Sequence, residues 1–401
     1  MLLHLPQELV DSVVEELDDS SLPICALASK SFLHPSQRRI FRCINFHGAY
    51  PPGDRRFESL CSVLSESPHL VSYVRAVVVR LDIARFYRVA RLLRACTRLG
   101  SLAICFTAQV VSLDMPNLPM ELIDALLCRI ASASLHHLEI WGQAGLLMPD
   151  SLLHFAVTSV RSLALRRITI NQDPHSQARY IMARYRAPPV VHLQHLTFDL
   201  MGRQCISAAR LIDYKKFGFL QGLQKLTLIQ WSDRFVPLLE ATAQTLQEFR
   251  VDLAAALWQG DTVFPHFPAL SVVELRLPVD DPEWDNTQAP PTVQRLLRAA
   301  PLLKQLTIFY KARSEPPLRP RVPPSPWAVF DPLRPKERPR HLRVVKCFLC
   351  FPLNFQGDKV IASDNFASWV EAQMPTLSGT PLLTCSQGAP AKYASWDEWP
   401  A

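Results

Sequence analysis

The chain has 401 residues and a hydrophobic content of 48%, enough for one elongated domain or two to three compact ones with a large core. Its formal net charge of +7 comes mainly from arginine and is scattered in ones and twos. Scatter of that kind is a solvated surface, so nucleic acid is not the expected partner. No basic segment leads into an apolar leader, and no stretch approaches the roughly 18 apolar residues of a membrane span. The expectation is a water-soluble chain of the cytoplasm or nucleus. Its ten cysteines sit mostly inside apolar runs, as reduced core residues would, and a disulfide frame is not expected.

The first 46 residues stand apart. Leu5, Leu9, Val13 and Leu17 recur every four residues with Val10 and Val14 beside them, which predicts a helix whose apolar stripe is wider than one neighbour covers. Pro6 suits a first helical turn, and Glu8 complements the positive end of the helix dipole. Asp18-Asp19-Ser20-Ser21 is a turn and cap cluster ahead of a second helix carrying Leu22, Ile24, Leu27 and Ala28. A third helix is expected from Pro35 to Cys43. Segments this short rarely fold unaided, so a partner is implied. Burying Leu5, Pro6, Leu9, Val13 and Leu17 would yield roughly 8 to 12 kcal/mol gross, against an association cost of about 4 to 15 kcal/mol.

Leu5-Pro6-Gln7-Glu8-Leu9, then Val13, Leu17, Leu22 and Leu27-Ala28-Ser29-Lys30-Ser31-Phe32, resemble the F-box, the motif that docks on the Skp1 adaptor of cullin-RING ubiquitin ligases. The likeness covers about a tenth of the chain, and Phe32 and Phe41 stand where tryptophans are common in the family. It implies that Leu5, Pro6, Leu9, Val13, Leu17, Leu22 and Leu27 face a Skp1-like adaptor and, through it, a cullin. Without a partner, the same helices would serve as a cap on whatever follows.

A Pro-Pro-Gly turn at Pro51 to Gly53 ends this head. From there Leu-x-x-Leu-x-Leu, with any large apolar residue allowed, starts nine times: at Val74, Leu99, Leu135, Val160, Leu193, Leu223, Leu246, Leu270 and Leu303. Helical patterns fill most gaps, at Phe57 to Leu64, Ile83 to Cys96, Leu118 to Ile130, Ala209 to Phe217, Phe235 to Ala243 and Val293 to Ala299. A strand and a helix at this spacing resemble a leucine-rich repeat, whose units must stack to bury their apolar faces. The fourth and sixth motif positions should point inward, and from Leu102 and Ile104 to Leu306 and Ile308 they are all apolar. The third, fifth and seventh face out. Among them His137, Trp141, Arg166, Asp199, Lys225, Arg250 and Arg276 are the residues expected to meet a target protein. The asparagine that ties neighbouring coils in regular repeats is missing, with Thr107, Gln143, Ile168, Trp231 and Ala254 among the residues in its place, so the array should be irregular.

Residues 313–340 are rich in proline and arginine and predict a long loop. A strand at His341 to Phe351 and a helix at Asn365 to Met374 complete the array, and residues 377–401 are expected as a flexible tail. Chemistry finds little support. The chain has no Gly-x-Gly, no Gly-Lys-Ser/Thr and no Gly-x-Ser-x-Gly. Cys347-x-x-Cys350 has zinc-knuckle spacing but no second close pair, and on a strand the two thiols face opposite sides. His136-His137, His192-x-x-His195 and the acidic run Asp280 to Asp285 are most simply solvated or structural groups.

The expectation is therefore an α/β chain: an all-helical F-box-like head over residues 1–46, an irregular leucine-rich-repeat-like solenoid with a parallel sheet over 55–312 and 341–376, and no enzyme activity, cofactor or metal. The function implied is recruitment of a protein target to an SCF-type ligase. The alternative is a leucine-rich-repeat scaffold that binds a protein or RNA with no ligase role. A hydrolase or transferase ranks last, for want of a supporting motif.

Overall fold

The structure is a computed structural model. It describes residues 5–46, 55–110, 112–113, 118–171, 192–199, 218–229, 231–232, 235–253, 263–279, 289–312, 339–350, 366–368, 370–371, 377 and 380–387. The chain is α/β and divides into two compact units, Met1–Val191 and His192–Ala401. The proline-rich loop, the acidic run and the helix expected at Ala209 to Phe217 lie outside the described residues.

In the first unit three helices open the chain: α1 (Gln7–Glu16), α2 (Leu22–Ala28) and α3 (Lys30–Ile40). Ser29 caps α3 by accepting a hydrogen bond from the Ser31 N–H, so this helix starts five residues before Pro35, which sits buried inside it. The sequence pattern placed the start at Pro35 because proline favours first turns; here the serine cap outweighs it. Asp18 accepts from the Ser21 N–H at 3.0 Å and from its hydroxyl at 2.8 Å, and fixes the turn into α2.

The head then runs directly into β1 (Cys43–Phe46), which lies parallel to β2 (Ala76–Leu81) from Cys43 against Ala76 to Phe46 against Val79. This corrects the expectation of a purely helical head. Its last four residues belong to the sheet, with Ile44 buried as their anchor. Next come α4 (Arg56–Glu66) and the single-turn α5 (Pro68–Val71). Beyond β2 follow α6 (Phe86–Ala95), β3 (Ser101–Phe106), α7 (Met120–Ile130), β4 (His137–Pro149), α8 (Asp150–Ser159) and β5 (Ser162–Asn171). The five strands lie side by side, parallel and in chain order. A parallel pair needs a crossover, and a helix supplies it each time between β2 and β5.

The second unit repeats the plan with shorter elements. Its strands are β6 (His195–Phe198), β7 (Lys225–Leu228), β8 (Glu248–Asp252), β9 (Val272–Val279), β10 (Gln305–Ala312), β11 (Val344–Cys350) and β12 (Leu383–Gln387), again parallel and in chain order. Helices α9 (Val236–Thr242) and α10 (Ala289–Ala299) fill two of the connections. β12 lies within residues expected to be a flexible tail. It pairs with β11 from Val345 against Leu383 to Leu349 against Gln387.

All nine strands from β2 to β10 begin two residues after a motif start, and the nine starting residues are buried. The sixteen inward residues from Leu102 to Ile308 are all under 5% exposed. Within each of the two units, adjacent strands thus share an apolar interior. An irregularity interrupts this in β4 and β5. Register shifts between Trp141 and Leu146, and Arg167 adopts a left-handed φ of 53°. Gly142 sits at the shift: a Cβ there would lie 2.4 Å from Leu146 Cβ and 2.7 Å from its backbone nitrogen. Gly142→Val should therefore destabilise the first unit by about 1 to 3 kcal/mol, read as a lower denaturant midpoint in urea titration. An unchanged midpoint would show that the bulge can give way.

Candidate functional site

The head buries one side of its helices and leaves the other bare. Val10 and Val14 of α1, Leu22 of α2, and Pro35 and Ser36 of α3 form its interior. The Arg39 guanidinium of α3 donates to the Val14 carbonyl at the end of α1 and lies 3.6 Å from the Asp19 carboxylate. These contacts fix α1, α2 and α3 against one another.

On the bare side Leu5 is 55% exposed, Leu9 53% and Val13 47%, with Pro6 exposed beside them. On α2, Ile24 is 73% and Leu27 88% exposed. Helical spacing puts Leu9 and Val13 on one line along α1, with Val10 and Val14 turned inward from it, and Leu5 lies two residues before the helix. Five large aliphatic side chains within some 25 residues are thus left in water.

Of the seven residues expected to meet the adaptor, Leu5, Pro6, Leu9, Val13 and Leu27 are exposed, and Leu17 is half-buried. Leu22 is corrected. At 1% exposure it is a core residue that holds α2 in the head, out of reach of a partner. Ile24 takes its place on the surface. A stripe at helical spacing reveals that two faces are apolar but not which of them turns inward, and α3 decides that.

The strand face expected to meet a target differs more. In the first unit Arg166 Nε lies 2.7 Å from a Glu139 carboxylate oxygen, with both side chains nearly buried. His137 lies between Ser162, whose hydroxyl is 2.9 Å from Nδ1, and Glu139, whose carboxylate is 4.0 Å from Nε2. Hydroxyl, imidazole and carboxylate in a row could relay a proton. However, the Ser162 N–H is bonded to the His136 carbonyl, so the hydroxyl lacks its own amide as an oxyanion donor. An apolar cavity in this unit, lined by Ile104, Phe106, Leu127, Leu138 and Ile140, lies on the other side of the sheet. Trp141 is half-buried between Cys105 and Arg166 in the register.

In the second unit the charges form a chain across neighbouring strands. Lys225 of β7 lies 3.0 Å from Glu248 of β8. Arg250 Nε lies 2.7 Å from the Glu248 carboxylate and 2.8 Å from that of Glu274 on β9. Arg276 is 3.6 Å from Asp252. Asp199 and Asp252 are buried, and Glu274 is 2% exposed. Beyond them Phe309 and Phe348 stack at 5.3 Å and are also buried. Arg166, Lys225, Arg250 and Arg276 are thus committed to carboxylates of this chain, and Asp199 is buried. Of the outward residues expected to meet a target, His137 and Trp141 are half-buried and the four cations are paired within the chain: alternation sets the direction of a side chain, and pairing across strands sets its neighbours.

The carboxylates respond to their surroundings in opposite senses. Burial pushes Glu139 above its ordinary value, more than Arg166 offsets. Glu248 is held below its ordinary 4.5, Arg250 and Lys225 together outweighing its burial. A depressed carboxylate stabilises the fold above its ordinary value and loses that contribution as pH falls through the lowered one. Glu248→Gln should therefore lower the thermal midpoint at pH 7 and reduce its loss on acidification below about 4.5. Arg166→Met leaves Glu139 buried without its cation and should cost about 3 kcal/mol at neutral pH. That cost should shrink in acid as the carboxyl protonates, which denaturation at pH 7 and pH 4 would measure. An equal cost at both would contradict the pairing.

Among the described residues no group of three or more histidine, cysteine or acidic side chains could hold a metal, and no helix is long and apolar enough to cross a membrane. Compared with protein-family models and with curated proteins, the chain matches none.

Proposed function

We propose that this protein is a substrate-recruiting adaptor of an SCF-type ubiquitin ligase, with an F-box-like head that binds a Skp1-like adaptor and a leucine-rich-repeat-like array that holds the target. The observation that carries this reading is the bare apolar line of Leu5, Leu9 and Val13 on a head whose interior is already complete. The head's attachment through β1 supports it further, because helices ordered beforehand lose little conformational entropy on binding. The parallel strands in chain order, with every inward motif position buried, suit an array in which each unit rests on its neighbours.

In this role the chain positions its target, and transfer chemistry belongs to other subunits. The adaptor contact consists of Leu5 and Pro6 just ahead of α1, Leu9 and Val13 from α1, and Leu27 and Ile24 from α2. Leu22 and Val14 contribute only by holding those helices in place. Two charges set within the apolar line should prevent adaptor binding without disturbing Val10, Val14 or Leu22. A Leu5→Asp, Leu9→Asp double variant is expected to lose capture by immobilised Skp1-like adaptor at least tenfold while keeping its far-ultraviolet circular dichroism and melting midpoint. Undiminished capture would overturn the assignment.

A further inference from the structure

Cys347 of β11 and Cys385 of β12 are partners in the parallel register, although 38 positions separate them in the chain. Cys347 is fully buried, while Cys385 is partly exposed on the final strand. Cys347 occupies an inward position between Lys346 and Phe348, and its side chain points to the same side of the sheet as that of its register partner. Neighbouring strands lie about 4.8 Å apart, within the separation of roughly 4.4 to 6.8 Å between Cα atoms that a disulfide tolerates. Both cysteines are free thiols, and they are within hydrogen-bonding reach of each other.

We infer that Cys347 and Cys385 form a reversible redox site, in which a peroxide converts the thiol pair into a disulfide that fastens β12 to β11. The division of labour follows from their surroundings. Cys347 donates its S–H to Cys385, which together with burial raises Cys347 well above the ordinary thiol value. Accepting that hydrogen bond lowers Cys385, so the more exposed sulfur is also the one with more thiolate character.

The Cys385 thiolate attacks one oxygen of hydrogen peroxide. The O–O bond breaks, giving a Cys385 sulfenic acid and hydroxide. The Cys347 sulfur then attacks the Cys385 sulfur, the S–O bond breaks, and the departing hydroxide takes up the Cys347 proton as water. In sum two thiols lose two electrons and two protons, and one peroxide becomes two waters. A dithiol reductant reverses the bond by exchange.

The other described cysteines whose thiol value shifts are raised. Cys96 and Cys105 are buried and pushed up to about 12 and about 11 by burial. Cys43 and Cys128 are exposed, and Cys43 is raised by burial of its thiol and by Asp19. The consequence of oxidation is local. The disulfide closes a loop around the residues between the two strands and removes freedom from the unfolded chain, so the end of the array resists opening.

The test uses the full chain, treated with millimolar hydrogen peroxide, alkylated and digested without reduction. The expected result is a peptide pair joined through Cys347 and Cys385, with a melting midpoint raised by about 5 to 10 °C for the second unit and restored by dithiothreitol. In a Cys347→Ser variant, Cys385 should remain as sulfenic acid and be captured by dimedone. Two free thiols after treatment, or Cys385 joined to a different cysteine, would overturn the inference. Because the peptide analysis uses the unsubstituted chain, the result stands even if the serine variant fails to fold.

Discussion

The pairing of Cys43–Phe46 with the strand that starts at Ala76 is the contact on which the rest of the molecule's use depends. Three helices of 10, 7 and 11 residues cannot support themselves in water. The segment that follows them is built into the sheet and anchors the end of the head there. The head therefore needs only one of its two apolar sides for folding, and Val10, Val14 and Leu22 supply it. The other side can stay uncovered without the head losing shape.

The array answers a different demand. Its interior accepts only apolar side chains, and its other strand face, which a binding surface would keep open, is largely occupied by the chain's own ion pairs. Glu139 with Arg166, Glu248 with Lys225, and Glu274 with Arg250 join neighbouring strands much as an asparagine ladder does in regular repeats. Pairs this sheltered give up hydration to exist, so removing one partner costs more than the pair contributes. Their value lies in register: a charge on β8 that must meet charges on β7 and β9 discriminates against a slipped pairing, in which every residue would change face.

Much of the fold was legible because each parallel strand buries the same positions of its motif. The strand starts were readable from Val74 to Leu303, and so were the burial of pairs such as Leu138 with Ile140 and Val273 with Leu275. Where the requirement weakens, so did the signal. β12 offers only Leu383 and Cys385 to the inside, too few to mark a strand, and β1 lies in what had the look of a helix end. The start of α3 was hidden because Pro35 competes with a serine cap as a helix signal. Partnerships across strands left no trace at all: nothing in the chain says that Arg250 faces Glu274, or that Cys347 sits beside Cys385, because register arises only on assembly. On the head the helical stripe was visible. Which leucines it exposes, Leu27 rather than Leu22, depended on where α3 packs.

The central claim, that an uncovered apolar line on a pre-ordered head is the protein's point of attachment, is tested most directly by hydrogen exchange on the whole chain with and without a Skp1-like adaptor. Bound adaptor should slow exchange across residues 5–28 and leave the strands from Ala76 to Ala312 unchanged. Exchange in 5–28 unaffected by the adaptor, or protection confined to the strands, would contradict it.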